Sequence, residues 1–321
     1  MSPLVSIIIP TYNRADLICE TIDSVIMQTY VEWECIIIDD GSTDNTSEII
    51  NDYIKKDFRI KYYHRPVKKN KGPSSCRNVG IEKANGAFIV FLDSDDLFTR
   101  ECLENRVKFA QHNFEYDLWV FKTKVFDKNP ADKNVIFNTK LEEYSDKLYL
   151  KLFFEGLHPF HVSSLLWRTE KIREISGFDE KLIVAEDPDL HIRAFLHGLK
   201  SITSNSLDYN SLYRIDFQSR LKSQNDKKSI KKRDNSLYII FQKFLKSNKE
   251  SIKYYSLKFF KDELLFNGSS YNIMRFYFLY VRYNIYNTKQ LFLIPVLLGY
   301  KVFGLDSVKG MGFYTLKKQL F

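Results

Sequence analysis

The sequence predicts an α/β fold, a doubly wound and mostly parallel sheet, followed by a mainly helical C-terminal extension. Three observations predict it. Short apolar runs alternate with stretches whose apolar residues recur at helical spacing. The first, second and fourth runs are nearly continuous in branched residues, as strands covered on both faces require. The last third of the chain breaks this alternation and reverses the charge. Residues 1–220 carry 29 Lys and Arg against 34 Asp and Glu, a net of −5, whereas 221–321 carry 19 against 6, a net of +13.

In order, Val5–Ile9 reads as the first strand, and Leu17, Ile18, Thr21, Ile22, Val25 and Ile26 form a helical stripe. Glu34–Ile38 is the second strand, followed by a helix through Ile49, Ile50, Tyr53 and Ile54 with Asp44 as its N-cap. Ile60–His64, a helix over Ser74–Ala84 and the strand Ala87–Leu92 complete the pattern, with right-handed crossovers expected throughout. In the tail, Tyr238–Leu245, Tyr254–Phe266 and Phe276–Tyr286 read as helices in which aromatic and basic residues interleave. Leu291–Tyr300 is the most apolar run, yet it holds Pro295 and falls well short of the ~20 residues a spanning helix needs.

Composition excludes several classes. With 44% hydrophobic and 27% charged residues the chain is globular. Cysteines 19, 35, 76 and 102 are scattered without a C-x-x-C pair, which argues against a zinc site or a disulfide framework and for a reducing compartment. A strand so close to Met1 leads to the expectation of no signal peptide and a cytoplasmic protein. Neither a Walker A nor a G-x-G-x-x-G motif occurs, and the basic tail carries no nucleic-acid-binding signature, so no nucleic-acid partner is expected.

Ligands of doubly wound sheets bind beyond the carboxyl ends of the strands. The first strand runs into Pro10-Thr11-Tyr12-Asn13-Arg14, the second into Asp39-Asp40-Gly41-Ser42, and the fourth into Asp93-Ser94-Asp95-Asp96. Five carboxylates at one rim repel each other unless a cation or hydrogen-bond donors sit among them. An Asp-x-Asp pair suits a hard divalent cation such as Mn2+ or Mg2+, which takes oxygen ligands and leaves positions for phosphate. Taken alone, the same segment also fits a solvated acidic turn or a helix N-cap before Leu97.

Six blocks give these residues a context: Val5–Arg14, Asp39–Asp44, Asn70–Ala84, Gly86–Asp96, Gly177–Glu180 with Ala185–Arg193, and Tyr213-Arg214 with Ser219. In order and spacing they resemble the glycosyltransferases of family 2, inverting enzymes with the GT-A fold. The resemblance covers residues 1–220, with a nucleotide-sugar part of about 1–100 and an acceptor part of about 100–220, and it stops before the basic helical region 221–321. It implies that Pro10, Thr11 and Tyr12 cup a uracil whose ring N–H is accepted by Asp40. It places Asn70 and Arg77 on the donor, though Arg77 also fits a structural ion pair. Asp93, with Ser94 beside it, would hold the ribose or donor sugar, and Asp95 a Mn2+ or Mg2+ ion. Asp96 would hold the loop or the sugar. Arg214 and Ser219 would meet the diphosphate. Asp187 would be the general base and Glu186 would orient the acceptor.

One departure stands out. Many relatives show Y-R-x-H where this chain has Tyr213-Arg214-Ile215-Asp216. Either Asp216 replaces the histidine as a metal ligand, or no protein ligand stands there. The resemblance further implies a UDP-sugar donor of hexosyl or N-acetylhexosaminyl type and a saccharide acceptor, lipid-linked in members that build bacterial capsule, O-antigen or teichoic-acid-type polymers. The tail's charge and aromatics lead to the expectation of peripheral contact with a membrane, and oligomerisation is left open. Two other readings are weaker. A haloacid-dehalogenase-like phosphatase needs Thr or Val where Leu97 stands and places its motif on the first strand. A non-catalytic nucleotide-sugar-binding assembly protein need not retain Asp40, Asp93, Asp95, Glu186 and Asp187 together.

Overall fold

Seven consecutive buried residues make β1 (Val5–Thr11) a central strand, and β2 (Trp33–Asp39) is buried along its whole length as well. Such runs are stable only between two covering layers, which is why neither strand alternates polar with apolar residues. α1 (Ile18–Ile26) buries Ile18, Ile22 and Val25, and α2 (Thr46–Ile54) buries Ile50. The N-cap of α2 is Asn45 and not Asp44, which supports the helix start from one residue farther out, accepting the Thr46 N–H at 3.1 Å and the Thr46 hydroxyl at 2.6 Å. β3 (Ile60–His64) leads to α3 (Pro73–Lys83), which has Pro73 in its first turn, where no amide partner is lost. A Cβ on Gly80 would lie 2.3 Å from Ile8 Cγ2, so α3 lies closer to β1 than any side chain permits.

The computed structural model describes residues 2–215 apart from 133–134, 138–144, 155–158, 183–184 and 207, and beyond 215 it describes 235, 238–246, 253, 257, 260 and 270–303. β4 (Phe88–Phe91) is followed by β5 (Leu97–Phe98), α4 (Cys102–His112), β6 (Leu118–Val120), β7 (Lys122–Phe126) and β8 (Ile136–Phe137). Then come α5 (Asp146–Phe154), a 3-10 turn Val162–Ser164, β9 (Leu165–Arg168), α6 (Thr169–Glu174), α7 (Glu186–His197), β10 (Ser201–Thr203) and β11 (Tyr209–Arg214). Seven strands form one sheet in the order β10-β6-β9-β4-β1-β2-β3. β1, β2, β3 and β4 pair in parallel, while β9 runs antiparallel to both β4 and β6. The chain winds outward from β1 to β3 and returns to place β4 on the other side of β1. The switch point lies between the carboxyl ends of β1 and β4, where a crevice forms.

A second sheet has the order β5-β11-β7-β8. Leu97–Phe98 pairs antiparallel with β11, so the acidic segment before it leads into a strand and not into a helix. The four cysteines are free thiols.

By its contacts the chain divides into two compact units, Met1–Phe153 with His158–Leu221, and Phe154–Leu157 with Lys222–Phe321. Within the second unit residues 238–245 are helical, as are α8 (Ser270–Arg282) and α9 (Thr288–Val302), which contains Pro295. The Tyr277 hydroxyl donates to the Leu291 carbonyl at 3.0 Å and ties α8 to α9. The aromatics divide into two groups. Phe260, Phe276 and Tyr280 are buried against one another, whereas Tyr271, Phe278 and Phe292 are exposed. Most of Tyr254–Phe266, read above as a helix, lies outside the described residues. Among the described residues, no helix is long and apolar enough to cross a membrane.

Candidate active site

At the switch point a cavity of about 440 Å³ opens, lined by Pro10, Thr11 and Tyr12 at the end of β1, Asp40 just after β2, Asp93, Ser94 and Asp95 just after β4, and Arg77, Glu186 and Arg214. The rim is charged because each strand ends in residues that cannot continue a buried sheet. Tyr12 leans outward with the Lys71 ammonium 4.1 Å from its ring centre. Asp40 is nearly buried, and one of its oxygens accepts a hydrogen bond from Arg65 Nε. Its neighbour Asp39 has both oxygens occupied. Oδ1 accepts the amides of Gly41 and Ser42 at 2.8 and 2.7 Å, and Oδ2 accepts the Tyr62 hydroxyl at 2.5 Å.

Arg77 organises the centre. It is almost completely buried on α3, and its Nη2 donates to Asp93 Oδ1 at 2.7 Å. Its Nη1 lies 3.6 Å from Glu186 Oε1 and 3.5 Å from Asp187 Oδ1. A guanidinium is planar and permanently charged, so it can face carboxylates on two sides without losing its proton. Both α7 acids stand in the first turn, where the helix dipole favours them, just after Ala185 with its left-handed φ of 62°. Farther along α7, Asp189 accepts Arg193 Nε at 2.7 Å, and Arg193 also donates to the Gly177 carbonyl at 2.5 Å. This fixes the Gly177–Glu180 segment against the helix that carries the two acids.

Burial pushes the Asp187 carboxyl up to about 6; Arg77 opposes the shift and Glu186 adds to it. Glu186 is also raised, by burial against the pull of Arg77. Burial works against the charge on Asp93, yet Arg77 and then His161 hold its carboxyl below the usual range. Asp95 is raised by burial and by Asp93, while Arg14, with Nη2 at 3.3 Å from Asp95 Oδ2, opposes this. Asp96 is fully buried and its carboxyl lies well above the usual range, through burial and then the charges of Asp93 and Asp95.

Asp96 Oδ1 accepts the Arg214 amide at 2.9 Å, and Arg214 Nε donates to the Asp95 carbonyl at 2.8 Å. β11 is thereby fastened to the acidic turn. Asp96 Oδ2 is buried and has no hydrogen-bond partner among the described residues. His161 stands opposite, with Nε2 at 3.9 Å from Asp93 Oδ2, Nδ1 at 3.7 Å from Asp96 Oδ2, and its ring stacked on Tyr213 at 4.0 Å. Ligand atoms of Asp93, Asp96 and His161 all lie within 4.8 Å of one another. Two carboxylates, one with an unsatisfied buried oxygen, beside an imidazole fit a divalent cation such as Mn2+ or Mg2+.

The structure brings together Pro10, Thr11, Tyr12, Asp40, Arg77, Asp93, Ser94, Asp95, Glu186 and Arg214 around this cavity, with Asp187 against Arg77 behind it. Asn70 stands apart, its amide donating to the Glu180 carbonyl at 3.2 Å. Asp216 and Ser219 lie outside the described residues. The structure adds Arg14, Arg65 and His161 to the residues expected at the site. Arg14 ends the Pro10–Arg14 block and could have been added from that position. Arg65 and His161 sit in segments without a motif.

The family model for glycosyl transferase family 2 matches residues 6–175. An uncharacterized glycosyltransferase of Rickettsia bellii is 51% identical over 109 residues, which are 34% of this chain and 15% of the relative. The chain thus spans only a small part of the length of that relative. An uncharacterized glycosyltransferase of Methanocaldococcus jannaschii is 32% identical over 229 residues, covering 69% of this chain and 76% of its own. Among solved structures, S. aureus TarS 1–349 in complex with UDP-GlcNAc shares the fold with a TM-score of 0.69 and 19% identity, over 98% of this chain and 91% of that one. With these matches and the rim geometry, the chain belongs to glycosyl transferase family 2 and has its GT-A fold.

Proposed function

We propose that the chain transfers a sugar from a uridine diphosphate donor to an acceptor hydroxyl, with a Mn2+ or Mg2+ ion held at the end of β4. The observation that carries this reading is the convergence of Asp93, Glu186 and Asp187 on the single buried guanidinium of Arg77. A donor-side carboxylate and a base of raised pKa are thereby held around one guanidinium whose charge offsets part of their repulsion. Pro10, Thr11 and Tyr12 form the uracil end. Asp40 keeps one oxygen on Arg65 and offers the other to the imide N–H. Asp93 and Ser94 take the ribose or the sugar, while Arg214 and Ser219 take the diphosphate.

Asp95, with Asp216 as a further ligand, holds the cation, whose contribution when bound is to neutralise the leaving diphosphate. Asp187, with its carboxyl pushed up to about 6, accepts the proton of the attacking hydroxyl, and Glu186 orients that hydroxyl. Attack opposite the diphosphate inverts the anomeric centre, so an α-linked donor yields a β-linked product. UDP-GlcNAc bound to a TarS structure of the same fold supports a uridine donor of hexosyl or N-acetylhexosaminyl type.

Residues about 1–100 then serve the donor and about 100–220 the acceptor, a saccharide of a bacterial surface polymer carried on lipid. The net charge of +13 over 221–321 and the exposed Tyr271, Phe278 and Phe292 support contact of the tail with an anionic membrane surface. Flotation with anionic liposomes tests that part, and a protein left unbound at low salt refutes it. The central reading is tested by UDP release from a panel of UDP-sugars with and without Mn2+, paired with calorimetric titration of UDP. Release from at least one donor is expected, with UDP binding weakened in EDTA. Unchanged affinity in EDTA would remove the cation from the reading, and no UDP binding at all would remove the donor.

A further inference from the structure

We propose that His161 supplies a nitrogen ligand to the divalent cation, beside Asp93 Oδ2 and Asp96 Oδ2, in a site assembled by the turn before β9. This inference rests on the metal-dependent donor reading and revises its ligand set: Asp93 and Asp96 take the place of Asp95, whose Oδ2 accepts Arg14 Nη2 at 3.3 Å, and His161 adds a ligand that neither the Asp-x-Asp segment nor the distal loop contains.

Three observations carry it. The first is the unsatisfied oxygen of Asp96, a fully buried residue whose Oδ2 meets no donor among the described residues. A buried carboxylate oxygen left so is costly, and a cation supplies the missing partner. The second is division of labour within each carboxylate. Asp93 gives Oδ1 to Arg77 at 2.7 Å and turns Oδ2 toward His161, whereas Asp96 gives Oδ1 to the Arg214 amide at 2.9 Å and keeps Oδ2. His161 Nε2 lies 3.9 Å from Asp93 Oδ2, and ligand atoms of all three residues lie within 4.8 Å of one another, a spread close to the roughly 3–4 Å that metal–ligand bonds of about 2.1 Å set between donors.

The third observation is that the imidazole is held in place. Its Nδ1 lies 2.8 Å from Ser163 Oγ, and its face stacks on Tyr213. Nδ1 also accepts the Ser163 amide at 3.4 Å, so the turn engages this nitrogen and Nε2 is the one that faces Asp93 Oδ2. A partner on the second ring nitrogen is the usual way in which a metal-bound histidine is oriented. The turn itself is anchored from below. Arg106, fully buried, donates to the Ser163 carbonyl at 2.7 Å and to Asn210 Oδ1 at 3.0 Å, which ties the histidine turn to the strand that delivers Tyr213 and Arg214.

The chemistry selects the ligand class. An imidazole among carboxylates favours Mn2+ over Mg2+, because Mg2+ prefers oxygen throughout. The test is pulsed electron paramagnetic resonance of the full chain with Mn2+ and UDP, together with Mn2+ titration. Wild type is expected to show a directly coupled 14N nucleus. His161→Gln should lose that coupling and bind Mn2+ at least about tenfold more weakly. Asp96→Asn, which keeps an oxygen for the Arg214 amide, should also weaken Mn2+ by at least about tenfold while retaining the 14N coupling at saturating metal. It provides a second readout if His161→Gln does not fold. Mn2+ bound with UDP but without 14N coupling in wild type, coupling that survives in His161→Gln, or wild-type Mn2+ affinity in Asp96→Asn would each overturn the inference and leave the donor reading standing. Absence of any Mn2+ binding would overturn both.

Discussion

Two acidic turns end adjacent regions of the same sheet, and they differ in how their charge is compensated. At the end of β2, Asp39 and Asp40 are met by fixed donors: two backbone amides, the Tyr62 hydroxyl and the Arg65 guanidinium. At the end of β4, Asp93 has Arg77, but Asp95 and Asp96 share fewer donors, and both carboxyls are raised. Prepaired carboxylates are rigid acceptors suited to reading a nucleobase edge. Under-compensated ones form a site that becomes electrostatically complete only when a cation arrives. Variants on the first turn should therefore change how tightly donor binds, and variants around the second should change turnover, metal affinity and stability.

The largest effect is expected where the second region meets α7. Asp187→Asn should lower kcat by roughly 10²–10⁴ while leaving UDP affinity within about twofold. In wild type the basic, active form of Asp187 is present above pH about 6, so kcat/KM should fall as pH drops through that value. Retention of half the activity in Asp187→Asn would remove its role as base.

Next comes the first turn. Asp40→Asn keeps the shape but exchanges a charged acceptor for a neutral one, and UDP should bind about 10–100-fold more weakly at little-changed kcat. A variant that instead loses kcat at unchanged UDP affinity would erase the distinction between the two regions.

A smaller effect concerns stability without metal. The Asp96 carboxyl is raised by burial, so the folded state favours its protonated form and loses stability as pH rises toward the folded pKa. Asp96→Asn removes that charge, so in EDTA its Tm should exceed that of wild type at pH 8. The gap should narrow as pH falls, because protonation removes the same charge from wild type. A lower Tm at pH 8 would mean that the carboxylate is fully compensated after all. The smallest effect is Tyr62→Phe, which deletes one donor to Asp39 and should cost about 0.5–1.5 kcal/mol in urea unfolding with no change in kcat.

The parallel half of the main sheet and much of the rim are legible in the order of residues along the chain. Val5–Ile9, Glu34–Ile38 and Ala87–Leu92 are uninterrupted apolar runs because their strands are covered on both faces, and that requirement writes itself into local composition. Asp40 and Asp93 could be named in advance because they follow strand ends, whereas Arg77 and Asp187 could be named only through the resemblance of their blocks to family 2. The tertiary structure alone decided the rest. β5, β8 and β10 are only two or three residues long, too short for any periodicity; β5 and β8 exist because the longer β11 and β7 offer them an edge, and β10 because it pairs with the equally short β6. The insertion of β9 antiparallel between β4 and β6 likewise depends on long-range pairing. Arg65 and His161 carry no motif. Arg65 reaches Asp40 through the register of β2 against β3, which sets Asp39 opposite His64. His161 reaches Asp93 and Asp96 because Arg106 fastens its turn to β11. A motif records what neighbouring residues require of one another; a partner brought in by folding depends on packing that no single stretch of sequence contains.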